Sequence, residues 1–78
     1  MGYLRDTDAI KAFGKNLKRI RENKNISQEK LAFDCGMEIS QISRIERGII
    51  NTSISNIFII ANHLKIHPKE LFDFELLE

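Results

Sequence analysis

QEKLAFDCGMEISQISRIERG, Gln28 to Gly48, carries small residues at two places where an ordinary helix does not need them. Ala32 lies inside an apolar helical pattern, and Gly36 falls four residues later, where that pattern breaks. Ile42 and Ile45 resume it, three residues apart. A small side chain lets a second helix approach the first, and a glycine takes the left-handed conformation that ends a helix at low cost. Leu31, Cys35, Ile42 and Ile45 then supply a buried seam. The spacing predicts two short helices crossing at a tight turn, the helix-turn-helix arrangement.

Both flanks extend this into an all-α reading. Upstream, Ile10, Phe13, Leu17 and Ile20 fall at three- and four-residue spacing, which predicts a helix over 8–23 with Asp6 or Thr7 as its cap. Lys11, Lys15, Lys18 and Arg19 occupy its other faces. After the break at Asn23-Lys24-Asn25, Ser27 caps a second helix, Gln28 to Cys35, with Lys30 where a Glu would close a capping box. A third helix is expected from Ile39 to Arg47, stopped by Gly48. Past a loop at Ile49 to Thr52, either Thr52 or Ser53 caps a fourth helix to Leu64, whose inward stripe is Ile54, Ile57, Ile60, Ala61 and Leu64. His67 and Pro68 open a short fifth helix, with proline in the first turn where its missing N–H costs nothing. Ile66 and Leu71 close the core. The expectation is one five-helix domain over 1–78, with its core at about 10–72 and short tails.

With 42% apolar and 29% charged residues, the composition is that of a folded chain and not a disordered one. A single cysteine makes no internal disulfide, so a reducing, cytoplasmic setting fits. Cys35 reads as a small core residue and not as a redox sensor. No apolar run approaches the roughly 20 residues of a membrane helix, and the N-terminus lacks a signal peptide's apolar core. His63 and His67 lie four apart, but Pro68 breaks the helix there and no Cys or carboxylate completes a metal set. No metal, cofactor or small-molecule ligand is therefore expected. Neither is an enzyme, because paired carboxylates, Cys/His pairs and phosphate loops are all missing from the pattern. Net charge is +1, yet residues 1–24 hold seven Lys or Arg against three acids, while 67–78 hold one Lys against four acids. One end is basic and the other acidic.

ISQEKLA, the CG turn, SQISRIERG and the trailing NTSISNIFIIANHLKIHPKELF together resemble the Cro/C1-type (XRE) helix-turn-helix family over residues 10–72. The resemblance implies a duplex DNA partner, with the helix after the turn lying in the major groove. It implies that Ile39, Ser40, Gln41, Ser43 and Arg44 read bases. Arg44 can bond bidentately to guanine, and Ser40 and Gln41 can reach base edges or phosphates. Ile39 either meets a thymine methyl or packs beside the turn. Gln28, Arg47, Asn51 and Thr52 match phosphate-binding positions, which fix register without carrying sequence information. Arg21 and Glu46 match a structural ion pair that ties the recognition helix to the scaffold. The basic end is then expected to face DNA and the acidic end to lie on the far side.

Family members usually act as homodimers on near-palindromic sites. The residues add their own hint, because Ile59 points away from the stripe and Phe58 sits at its edge. Phe72, Phe74, Leu76 and Leu77 add further apolar surface. Phe58, Ile59, Phe72 and Phe74 are the expected interface; the alternative is a tail folded over its own core. The expected function is sequence-specific, autoregulatory control of transcription. A restriction-modification controller, a phage-type repressor and an antitoxin-like autorepressor all stay open, as does a protein-interaction module that keeps the fold.

Overall fold

A computed structural model describes residues 6–76 of the protein, and these form four α-helices and a closing 3-10 helix. They are α1 Thr7–Asn23, α2 Gln28–Cys35, α3 Ile39–Glu46, α4 Ile54–Leu64 and the 3-10 helix Pro68–Phe72. Short polar side chains start three of them. The Asp6 carboxylate accepts from the Ala9 N–H at 3.0 Å, the Ser27 hydroxyl from Lys30 at 3.0 Å, and the Ser53 hydroxyl from Asn56 at 3.1 Å. Asp6 and Ser53, not Thr7 and Thr52, are thus the caps. Gly36 ends α2 at φ 68°, and the Met37 N–H reaches back to the Ala32 carbonyl at 2.9 Å. Only glycine adopts that conformation without a Cβ penalty.

α3 stops at Glu46, one residue earlier than its sequence suggests, with Arg47 as its C-cap and Gly48 at φ 72° beyond it. The expected fifth α-helix is instead a 3-10 helix. His67 Nδ1 accepts from the Lys69 N–H, and the Glu70 carboxylate accepts from the His67 N–H at 2.8 Å. Both bonds close the N-terminus, and the Asp73 N–H returns to the Glu70 carbonyl only five residues on, so no length is left for an α-helix to propagate.

Leu17, Leu31, Ile42, Ile45, Ile60, Leu64 and Leu71 are fully buried and form the centre of the core, with Phe13, Ile20, Ala32 and Ala61 around them. α3 packs against both α1 and α2, and α4 packs against α2 and the 3-10 helix. Cys35 is half-buried at the edge of this core, where burial and the neighbouring Asp34 carboxylate push its thiol pKa up. Ile54 departs from the expected inward stripe: it is 73% exposed. Periodicity gives it the right face, but α4 meets its neighbours through Ile60, Ala61 and Leu64, and the first turn projects past them.

Two buried residues of α1 set the architecture and went unread in the sequence. Gly14 lies where α1 crosses α3, so close that a Cβ there would collide with the Ile45 carbonyl and sit 2.6 Å from that of Glu46. Asn16 donates through Nδ2 to the carbonyls of Glu70 and Leu71, both at 2.9 Å, and its Oδ1 accepts from Arg19 at 2.8 Å. This clamp draws the acidic C-terminal segment onto the basic helix. Arg19 and Lys24 line one cleft with Glu70 and Asp73, so this part of the basic end lies beside the acidic segment and not opposite it.

The tail follows the same path. The Phe72 ring packs on Phe13 with centroids 5.1 Å apart, and Phe74 is half-buried against the core. Both fold back on their own chain, although Phe72 keeps about half its surface in solvent. Leu77 lies outside the described residues. Among those described, no helix is long and apolar enough to cross a membrane.

Candidate nucleic-acid interface

α3 divides its residues by face. Ile42, Ile45 and Glu46 turn inward and are buried; Ile39, Ser40, Arg44 and Arg47 are exposed, and Gln41 and Ser43 are partly so. An eight-residue helix with a buried apolar side and a solvent-facing row of polar side chains is free to enter a groove while staying fixed to the core.

What fixes it is a buried ionic cluster. Arg21 on α1 meets Glu46 in a two-pronged pair, Nε to Oε2 at 2.6 Å and Nη2 to Oε1 at 2.9 Å. Its remaining Nη1 donates to the Ile26 carbonyl at 2.8 Å, which pins the loop between α1 and α2. Gln28, first residue of α2, donates through Nε2 to Glu46 Oε1 at 2.9 Å. One carboxylate therefore joins α1, α2 and α3. Hydrogen bonding to Glu46 raises the Arg21 pKa above its already high ordinary value, against an opposing effect of burial. An amide nitrogen has two N–H groups, so Gln28 keeps one for an outside acceptor, beside the open N-terminus of α2.

Several of the residues read as direct contacts already have partners. Gln41 Oε1 accepts from the Glu38 N–H at 3.0 Å, closing the N-terminus of α3. Ser43 Oγ accepts from Arg47 Nε at 3.2 Å. Thr52 Oγ1 accepts from Asn56 Nδ2 at 3.0 Å, which orders the approach to α4. Both α3 bonds had a signal in the sequence: a Gln three residues after a helix cap, and a Ser-Arg pair one turn apart. Asn51 is exposed next to Thr52, and both border an apolar cleft of about 160 Å³ lined by Ile10, Phe13, Ile45 and Phe72. Phe33, on the outer side of α2 and 82% exposed, is a further surface residue that the sequence reading passed over.

On α4, Phe58 is 58% and Ile59 39% exposed, and with Ile54 they make an apolar strip outside the core. Of the four expected interface residues, the structure leaves Phe58 and Ile59 facing outward, Phe72 divided between Phe13 and solvent, and Phe74 mostly committed to its own core.

Comparison with known proteins matches this arrangement. Residues 17–71 fit the helix-turn-helix (HTH_3) family model. Control protein C.BamHI of Bacillus amyloliquefaciens is 49% identical over 63 residues, covering 80% of this chain and 78% of its own. The restriction-modification controller protein C.AhdI from Aeromonas hydrophila superposes with a TM-score of 0.79 at 43% identity, over 81% of this chain and 96% of that one. SinR, a master regulator for biofilm formation solved in complex with DNA, superposes with a TM-score of 0.73 at 31% identity, over 78% of this chain and 98% of its own. The family match spans α2, the turn, α3 and most of the core around them, and the chain belongs to the HTH_3 helix-turn-helix family.

Proposed function

We propose that this chain is a sequence-specific, duplex-DNA-binding transcription regulator that works as a homodimer on near-palindromic operators and controls its own expression, in the manner of a restriction-modification controller. One observation carries the reading: α3 presents Ile39, Ser40 and Arg44 to solvent while its Glu46 is locked to α1 and α2. A rigidly held recognition helix with an arginine free to reach guanine is what base readout requires. The kinship with a control protein and with a regulator solved on DNA supports it.

In this reading Arg44 reads guanine, Ser40 reaches a neighbouring base edge and Ile39 meets a thymine methyl. Gln41 reads through its Nε2, because its oxygen is turned toward the cap and accepts there from the Glu38 N–H. Gln28 with the N-terminus of α2 grips phosphate on one flank, and Arg47, Asn51 and Thr52 grip it on the other.

Duplexes selected from a random pool, followed by titration against salt, test this. Affinity should fall steeply with salt, with a slope set by the number of phosphates engaged. Arg44→Ala should cost about 1–3 kcal/mol and relax preference at one base pair, while Arg47→Ala should weaken all duplexes alike and lower the salt slope by about 1. Salt-insensitive or absent duplex binding would instead favour a protein-interaction module.

For the dimer, Ile54, Phe58 and Ile59 form the strip that a second copy would cover, flanked by Phe72. Phe58→Glu should shift sedimentation from dimer to monomer and weaken operator binding, with the helical content unchanged. An unaltered mass in that variant would remove α4 from the interface.

A further inference from the structure

We infer that Ser43 is a positioning residue for Arg47 and not a reader of bases. This rests on the phosphate role proposed for Arg47, and it reassigns one of the five residues of α3 expected to touch base edges.

Arg47 is the C-cap residue of α3 and exposed, a place where a long side chain ordinarily samples many rotamers. Here its Nε donates to the Ser43 hydroxyl at 3.2 Å, one turn back along the helix. Side chains on a helix lean toward its N-terminus, so the geometry is the natural one for a residue at this end. The bond uses Nε and leaves the Nη1 and Nη2 groups, four N–H donors in a rigid plane. A guanidinium held this way presents its fork with part of the ordering already done, which is how preorganisation raises affinity.

Ser43 suits the part and suits little else. It is partly covered, and its hydroxyl oxygen faces Arg47. Arg44, one residue on, is exposed and among the described residues has no such tether to a hydroxyl, which fits a division in which Arg44 adapts to a base while Arg47 is preset for the backbone.

Equilibrium binding to a selected duplex and to its full set of single-base variants provides the test. Ser43→Ala should weaken every duplex by the same factor, about three- to tenfold, the effect of one modest hydrogen bond. Ser43→Thr, which keeps the hydroxyl, should restore binding. In an Arg47→Ala background, Ser43→Ala should add nothing, because the two residues act as one unit. A loss confined to one base pair would make Ser43 a reader, and additive losses would uncouple it from Arg47; either result overturns the inference.

The free protein gives a separate check. Its Arg47 Nε–H resonance should exchange more slowly than those of other exposed arginines, and Ser43→Ala should abolish that difference. No change in this signal would show that the tether is not populated, and would overturn the inference while leaving the regulator reading intact. A wild-type protein that keeps the slow Nε–H yet binds no duplex would overturn the regulator reading, and the positioning role with it.

Discussion

Gly14→Ala is expected to cost the fold about 3 kcal/mol, at the upper end of what overpacking a core produces. In an isolated helix the same change would help by up to about 1 kcal/mol, because alanine is the better helix former. The sign reverses here because the added methyl meets backbone. Its Cβ would overlap the Ile45 carbonyl and lie within 2.9 Å of both carbonyl atoms of Glu46. A flexible side chain could swing aside, but two peptide groups of α3 cannot. α1 and α3 must separate, which strains the Arg21–Glu46 pair that spans the same crossing.

Single cores of this size rarely supply more than about 3–5 kcal/mol, so most of the stability should be lost. Gly36→Ala makes the control. Nothing lies within 4 Å of a Cβ at Gly36, and only its positive φ resists the change, at about 1–2 kcal/mol. Urea unfolding followed by circular dichroism should place Gly14→Ala well below Gly36→Ala. The reverse order would mean that the α1–α3 crossing yields to the added methyl group.

That Gly14 was invisible in the sequence while Gly36 was plain shows which information is local. Gly36 sits where an apolar period stops, after a helix opened by a serine cap, and each signal is spelled within a few residues. The limits of α2 can be read directly from them. Gly14 interrupts nothing, since the apolar period of α1 runs straight through it, and its reason is a helix met only after a turn and a second helix. Asn16 is the same case. As a polar residue in a polar-rich helix it looks like surface, and only the return of the C-terminal segment makes it a buried clamp. Ile54 fails in the opposite direction, because periodicity assigns a face but not where the neighbouring helix ends.

The functional face divides along the same line. The exposed row of α3 follows from its amphipathic pattern, which leaves Ile39, Ser40 and Arg44 in solvent. Gln41, Ser43 and Thr52 are partly occupied by hydrogen bonds to residues three or four positions away, a spacing that a sequence can show.

Glu46→Ala is the second change with a large expected effect, about 3–5 kcal/mol, because it strands a buried cation. Arg21 is 6% exposed, and without Glu46 it keeps only the Ile26 carbonyl. It cannot escape by losing its proton, since a guanidinium stays protonated in a protein even where burial, no longer opposed by Glu46, lowers its pKa. Glu46→Gln keeps the shape and one acceptor and should fall between Glu46→Ala and wild type. A midpoint for Glu46→Ala equal to wild type would mean that the pair anchors nothing. Stability and function part company in the double variant Arg21→Met/Glu46→Leu. Exchanging a buried ion pair for apolar side chains of similar volume is often neutral or stabilising, so this protein should fold as well as wild type. Yet Gln28 loses the acceptor that aims its amide, and the phosphate contact proposed for it at the start of α2 should weaken with it. A stable double variant with reduced duplex affinity would make Glu46 a part of the binding apparatus as well as of the fold. Undiminished affinity would assign it to folding alone, with Gln28 finding its phosphate unaided.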